Sequence, residues 1–200
     1  MASRLRIFIS AGPDLETERE AVGKAIASLP VSLGWVIKYT PVHGEPSDST
    51  FQAVEACDLY ALLLGRDISA PVGSELHVAR KTGKRTAAFL KEVPHTPAAQ
   101  IFVRQSALRW RPFQDEDVLR SLFQKAVADQ ILAQADSWPI TVSDWEALSA
   151  LSARLDEQSP EEKEETTARL RGAGSDAVII SPERDLPSEG VPIGRRQDSL

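Results

Sequence analysis

One carboxylate in this chain stands where it could do chemistry. Glu75 follows Ser74 in the stretch RDISAPVGSELHVA, just after a six-residue apolar run at 59–64. Ser74 is a natural helix N-cap. Glu75 then falls in the first helical turn, where the helix dipole favours negative charge, and that alone is a sufficient structural role. The sharper reading is a carboxylate beside a sugar C1′, acting as nucleophile or stabilising an oxocarbenium-like transition state. Ser10, Arg66 and Ser74 are then candidates for binding ribose or phosphate oxygens. Asp14 and Asp58 also fall near loop ends. A helix cap and a strand-edge hydrogen bond are the simpler roles for these two.

Other chemistries find little support. The chain has no Walker loop and no GxGxxG phosphate motif. His43, His77 and His95 lack metal-ligand spacing, so no metal site is expected. Cys57 precedes the apolar run and reads as a small buried residue, because a reactive thiol needs an electropositive setting. Trp35, Trp110, Trp138 and Trp145 are scattered and not interleaved with basic residues. They read as packing residues more readily than as base-stacking platforms.

The elements that must position Glu75 follow from the pattern. Residues 59–64, closed by Gly65, suit a parallel strand covered on both faces. A loop, 66–73, leads to the Glu75 helix, which Gly83 can stop. Residues 86–90 form the next apolar strand. Upstream, 4–10 (RLRIFIS) reads as the first strand, 15–29 as a helix with Leu15, Val22, Ile26 and Leu29 on one face, and WVIKYT within 31–40 as the second strand. A short helix is expected at 50–56, another at 98–105 and a last strand at 108–111. This alternation predicts a parallel α/β sheet. In such sheets ligands sit outside the carboxyl ends of the strands, where Arg66 and Glu75 fall.

Charge divides the chain. Residues 1–111 carry 14 Lys and Arg against 11 Asp and Glu, and residues 112–200 carry 9 against 18. This shift suggests an α/β domain over 1–112, a helical appendage over 113–172 and a linker or tail over 173–200. In the appendage, 117–135 reads as a helix, Ser143-Asp144-Trp145-Glu146 as a capping box opening a helix to 155, and Ser159-Pro160-Glu161-Glu162 as a third helix start. The acidic half does not suit nucleic acid, which needs clustered positive charge. No signal peptide is evident, and no apolar run approaches the roughly 20 residues of a membrane span. With a single cysteine, a cytoplasmic setting is expected.

An ordered set of residues resembles a known family. The set is Ile7-Phe8-Ile9-Ser10, Asp14-Leu15, Glu18-Arg19, Cys57-Asp58-Leu59-Tyr60, Leu62-Leu63-Leu64-Gly65, Ser74-Glu75 with Ala79, Gly83-Lys84 and Phe89-Leu90-Lys91. Over about residues 3–91 it is similar to a bacterial domain family found at the N-termini of multidomain signalling ATPases and repeat proteins, related to TIR domains and nucleoside 2-deoxyribosyltransferases. Both relatives carry Glu-x-x-x-Ala, which Glu75 and Ala79 match. The resemblance implies a flavodoxin-like sheet and cleavage of a base–sugar bond in NAD or a nucleotide, with the nucleotide as substrate and no cofactor. It equally implies the alternative of a non-catalytic adaptor that self-associates and docks protein partners or further domains. A nucleoside-transfer enzyme of metabolism is a third reading, which leaves the acidic helices without a role. The chain departs from the pattern in having Pro71-Val72-Gly73 where TIR domains often carry Trp-Cys, and Gly73-Ser74 where this family usually has Ser-x-Thr.

Overall fold

The computed structural model describes residues 4–41 and 47–157. Five strands, β1 (Leu5–Ala11), β2 (Trp35–Tyr39), β3 (Leu59–Leu64), β4 (Thr86–Lys91) and β5 (Trp110–Phe113), form one sheet in the order β2-β1-β3-β4-β5. Every pairing is parallel. This is the flavodoxin-like order, in which the chain reverses its direction of winding at β1 and β3.

The central strands are buried on both faces, which is why their sequences are apolar runs and do not alternate. Leu59, Ala61 and Leu63 of β3 face a core shared with α1 (Glu16–Ala27), α5 (Glu116–Ala133) and α6 (Val142–Glu157). Tyr60 and Leu62 face the other way, with Phe8, against α2 (Asp48–Ala56) and α3 (Ala70–Lys81). Phe8 and Tyr60 stack with rings 7° from parallel. Phe102 of α4 (Pro97–Gln105) closes the far end of that second core, edge-on to Trp110. Ser10 is in register with Leu62, so it shares the α3 face of the sheet.

α3 ends as Gly83 requires. Gly83 has φ +65° and follows the C-cap Thr82. Its amide bonds to Arg80 O at 3.0 Å, and the Lys84 amide to Ala79 O at 2.8 Å. This is a Schellman stop, whose left-handed residue costs glycine least.

Three expectations are corrected. α3 begins at Ala70, with Ser69 as N-cap and Pro71 in the first turn, so Ser74 is an exposed mid-helix residue and Glu75 lies past the first turn. Proline at the start fixes φ where an amide is not needed, which sets the helix start earlier than Ser74. The capping box of α6 is formed by Thr141 and Asp144: the Asp144 amide donates to Thr141 Oγ1 at 3.1 Å, and the Thr141 amide to Asp144 Oδ2 at 2.9 Å. Finally, Pro112 is no boundary, because it lies inside β5, and residues 1–160 form one compact unit. Leu119, Phe123, Val127 and Ile131 of α5 are fully buried against the sheet, and Leu148, Leu151 and Leu155 of α6 extend the same core. α5 and α6 are therefore part of the sheet's own core and not a separate module. The expected third helix and the tail at 173–200 lie outside the described residues. Among the described residues no helix is long and apolar enough to cross a membrane.

Candidate functional site

A hydroxyl residue stands at the carboxyl end of each of β1 and β2, Ser10 one residue before the end of β1 and Thr40 just after β2, and the second turn of α3 brings Glu75 to both. Ser10 Oγ donates to Glu75 Oε2 at 2.5 Å, and Thr40 Oγ1 donates to the same oxygen at 2.6 Å. Thr40 is held by the strand register: its amide bonds to Ile9 O at 3.1 Å, and its hydroxyl accepts the Ala11 amide at 3.2 Å. Glu75 has no exposed surface, and its second oxygen, Oε1, makes no hydrogen bond among the described residues.

Burial raises the Glu75 carboxyl above the ordinary glutamate value, against the opposing pull of Ser10, Thr40 and the charge of Arg19. Tyr60 lies beneath, its hydroxyl buried and without a partner of hydrogen-bonding geometry, and burial likewise pushes its phenol up. A carboxyl held by two neutral donors, with one oxygen uncommitted, differs from a structural ion pair.

Arg19 of α1 sits at the same edge, nine-tenths buried. Its Nη2 donates to Ala11 O at 2.5 Å and its Nε has no partner. It lines a cavity of about 150 Å³ together with Ala11, Pro13, Thr40, Pro41, Ser69 and Pro71. Thr40 is the shared wall: it bonds Glu75 and borders the cavity. A neighbouring ion pair, Glu18–Lys91 at 2.5 Å, ties α1 to the end of β4.

The other expected residues fall as follows. Ser10 joins Glu75 directly. Arg66 is exposed at the same edge, and the fold uses its backbone: its amide donates to Asp14 Oδ2 at 2.9 Å and its carbonyl accepts the Thr96 amide at 3.0 Å. Asp14 thus ties the loop after β1 to the loop after β3 and does not cap α1. A Cβ on Gly65 would stand 2.3 Å from Asp14 Oδ2, so this tie depends on glycine there. Ser74 is exposed and does not meet the Glu75 carboxyl in any hydrogen bond. Asp58 lies at the opposite, amino edge of the sheet, accepting the Arg6 amide at 2.8 Å, which is the strand-edge role. Thr40 and Arg19 reach this edge of the sheet without a binding motif in the sequence to announce them. The signal for Thr40 is a hydroxyl closing a strand just before proline, the counterpart of Ser10 before Ala11-Gly12-Pro13.

Among the described residues no cluster of His, Cys, Asp and Glu is arranged to hold a metal. The site and sheet order define a flavodoxin-like α/β protein with a buried glutamate at its carboxyl edge. No protein-family model and no curated protein matches the chain. Among solved structures it is similar to the crystal structure of the RPS4 and RRS1 TIR domain heterodimer, with a TM-score of 0.47, 8% identity and coverage of 64% of this chain and 98% of that chain.

Proposed function

We propose that this protein is a TIR-like signalling or defence effector domain that cleaves the base–sugar bond of NAD or a related nucleotide through Glu75. The observation that supports this is the Glu75 carboxyl itself: buried, held at Oε2 by Ser10 and Thr40, and uncommitted at Oε1. The two hydroxyls favour the ionised form and fix its orientation. In the reaction, the C1′–N bond breaks and the base leaves with the electron pair; from NAD it leaves as neutral nicotinamide. The Glu75 carboxylate balances the positive charge developing at C1′, or bonds to it. Water then delivers hydroxide to C1′ and releases a proton. Glu75 has no exposed surface, so the reactive state requires the carboxyl to open toward the cavity beyond Thr40. Clustering of the domain is the proposed trigger.

That same zero exposure supports a second reading, a non-catalytic adaptor acting by self-association. Trp35, Tyr39, Val142 and Trp145, each more than a third exposed, offer apolar contact area to a partner. Base release from NAD and from a panel of nucleotides, followed by chromatography at low and at clustering concentrations, separates the two. Release that Glu75→Gln abolishes is the expected result. No release at any concentration, with both proteins folded, leaves the adaptor.

A further inference from the structure

β2 stands at one end of the sheet and has a neighbour on one side only among the described residues. Its ladder to β1 fixes which backbone groups are taken. The Leu5 amide bonds to Gly34 O at 2.9 Å, and the Thr40 amide to Ile9 O at 3.1 Å. Alternate residues of a strand direct their N–H and C=O groups to alternate sides. Gly34, Val36, Lys38 and Thr40 therefore face β1, and the backbone groups of Trp35, Ile37 and Tyr39 point out of the sheet.

Free edges are normally blunted by proline, a bulge, charge or a covering element. The register with β1 runs one for one from Trp35 to Tyr39, so no bulge intervenes, and the strand WVIKY has no proline. Its one charge is Lys38. The edge is aromatic as well as unpaired: Trp35 is 37% exposed and Tyr39 39%. Period-two alternation puts both on the face of Ile37, which packs against the core that α1 shares.

The order of these five residues is complementary to itself. Antiparallel pairing about a two-fold axis at Ile37 sets Trp35 against the partner's Tyr39, Val36 against the partner's Lys38 and Ile37 against the partner's Ile37. Residues with outward backbone groups then oppose one another, as hydrogen-bonded pairs require. Each tryptophan meets a tyrosine, a favourable cross-strand pair, and no lysine faces a lysine. Moving the axis to Lys38 opposes two lysines, and moving it to Val36 leaves Tyr39 opposite a residue outside the strand.

We propose that β2 pairs antiparallel with β2 of a second copy about a two-fold axis at Ile37, giving a dimer with one continuous sheet. The contact is five residues long, about 17 Å at roughly 3.3 Å per residue. An interface that small belongs to the weak, concentration-dependent class. Tyr39 directly precedes Thr40, the donor to Glu75 Oε2, so the pairing braces the strand end beside the carboxyl. Its use as a trigger rests on the cleavage reading above; the dimer itself does not.

Sedimentation equilibrium of the full chain is expected to show a mass that rises with concentration toward twice the 21.9 kDa of one chain. Ile37→Pro removes one outward N–H and leaves the β1 ladder whole, because proline is tolerated at an edge position whose N–H faces solvent. This variant is expected to stay at the mass of one chain. A native chain that is monomeric at every concentration overturns the proposal, and so does a dimer that folded Ile37→Pro retains. Crosslinking tests the register without the proline. A hydrogen-bonded antiparallel pair sets its Cα atoms about 5.5 Å apart, within disulfide range. Under mild oxidation, Trp35→Cys mixed with Tyr39→Cys should yield a disulfide-linked dimer. Neither variant alone should, because Trp35 and the partner's Trp35 stand four positions out of register. The native Cys57 is buried and does not compete. No link in the mixture, or links within each variant alone, overturns the pairing. Base release is scored on the same samples: a dimer without release sinks the cleavage reading alone, and release from a chain that never dimerises sinks the pairing alone.

Discussion

The Thr40 hydroxyl donates to Glu75 Oε2 at 2.6 Å while accepting the Ala11 amide at 3.2 Å. One side chain at the end of an edge strand therefore links the backbone of β1 to the carboxyl of α3. Thr40→Val keeps the shape and removes both bonds. It is expected to cost about 1–3 kcal/mol, the penalty for leaving buried polar groups unsatisfied. Urea denaturation should show a lower midpoint with an unchanged slope. A wild-type midpoint would show that Ser10 alone suffices.

Two buried glutamates should give opposite pH signatures. The folded Glu75 carboxyl is raised above its ordinary value by burial. Its contribution is fully present below that ordinary value and is lost as pH rises through the raised one. Burial pushes Glu18 the same way, but its hydrogen bonds to Lys91, its own backbone and Thr17, with the Lys91 charge, outweigh burial and hold it below the ordinary value. Its contribution is present above the ordinary value and is lost as pH falls through the depressed one. Relative to Glu75→Gln, the wild type should lose stability from acid to neutral pH. Relative to Glu18→Gln, it should gain over the same range. Denaturant midpoints at several pH values give both slopes, and parallel slopes would contradict these environments.

α5 is expected to be indispensable. Phe123 is fully buried and packs against Phe89 of β4 with ring centroids 5.8 Å apart. Phe123→Ala should cost about 3–5 kcal/mol. A chain ending at residue 112 would expose the β1, β3 and β4 side chains that α5 covers, and should lack a cooperative thermal transition by circular dichroism. A folded 1–112 fragment would restore the boundary at Pro112.

Cys57 should be inert. It is buried, and burial pushes its thiol up to about 11. A thiol-exchange reagent at neutral pH should label the native protein far more slowly than the urea-unfolded chain. Rapid labelling of native protein would mean that the α2–β3 junction opens readily.

The sequence determined the sheet. Unbroken apolar runs bounded by glycine and polar loops specify buried parallel strands, and β3 occupies Leu59–Leu64 as the run at 59–64 indicates. Gly83 specified the end of α3 for an equally local reason, its φ of +65°. Such features depend on residues a few positions apart, so they are legible along the chain. Only the tertiary structure decided what surrounds Glu75. Ser10, Thr40 and Glu75 are 65, 35 and 30 residues apart in their pairings, and they meet because parallel register aligns the strand ends while α3 crosses above them. Register also decided that Asp58 stands at the far edge, and that Arg19 rather than Arg66 lines the cavity. The charge shift near Pro112 suggested a separate module, because composition does not record which faces are buried, and the apolar faces that join α5 and α6 to the sheet are decided by packing.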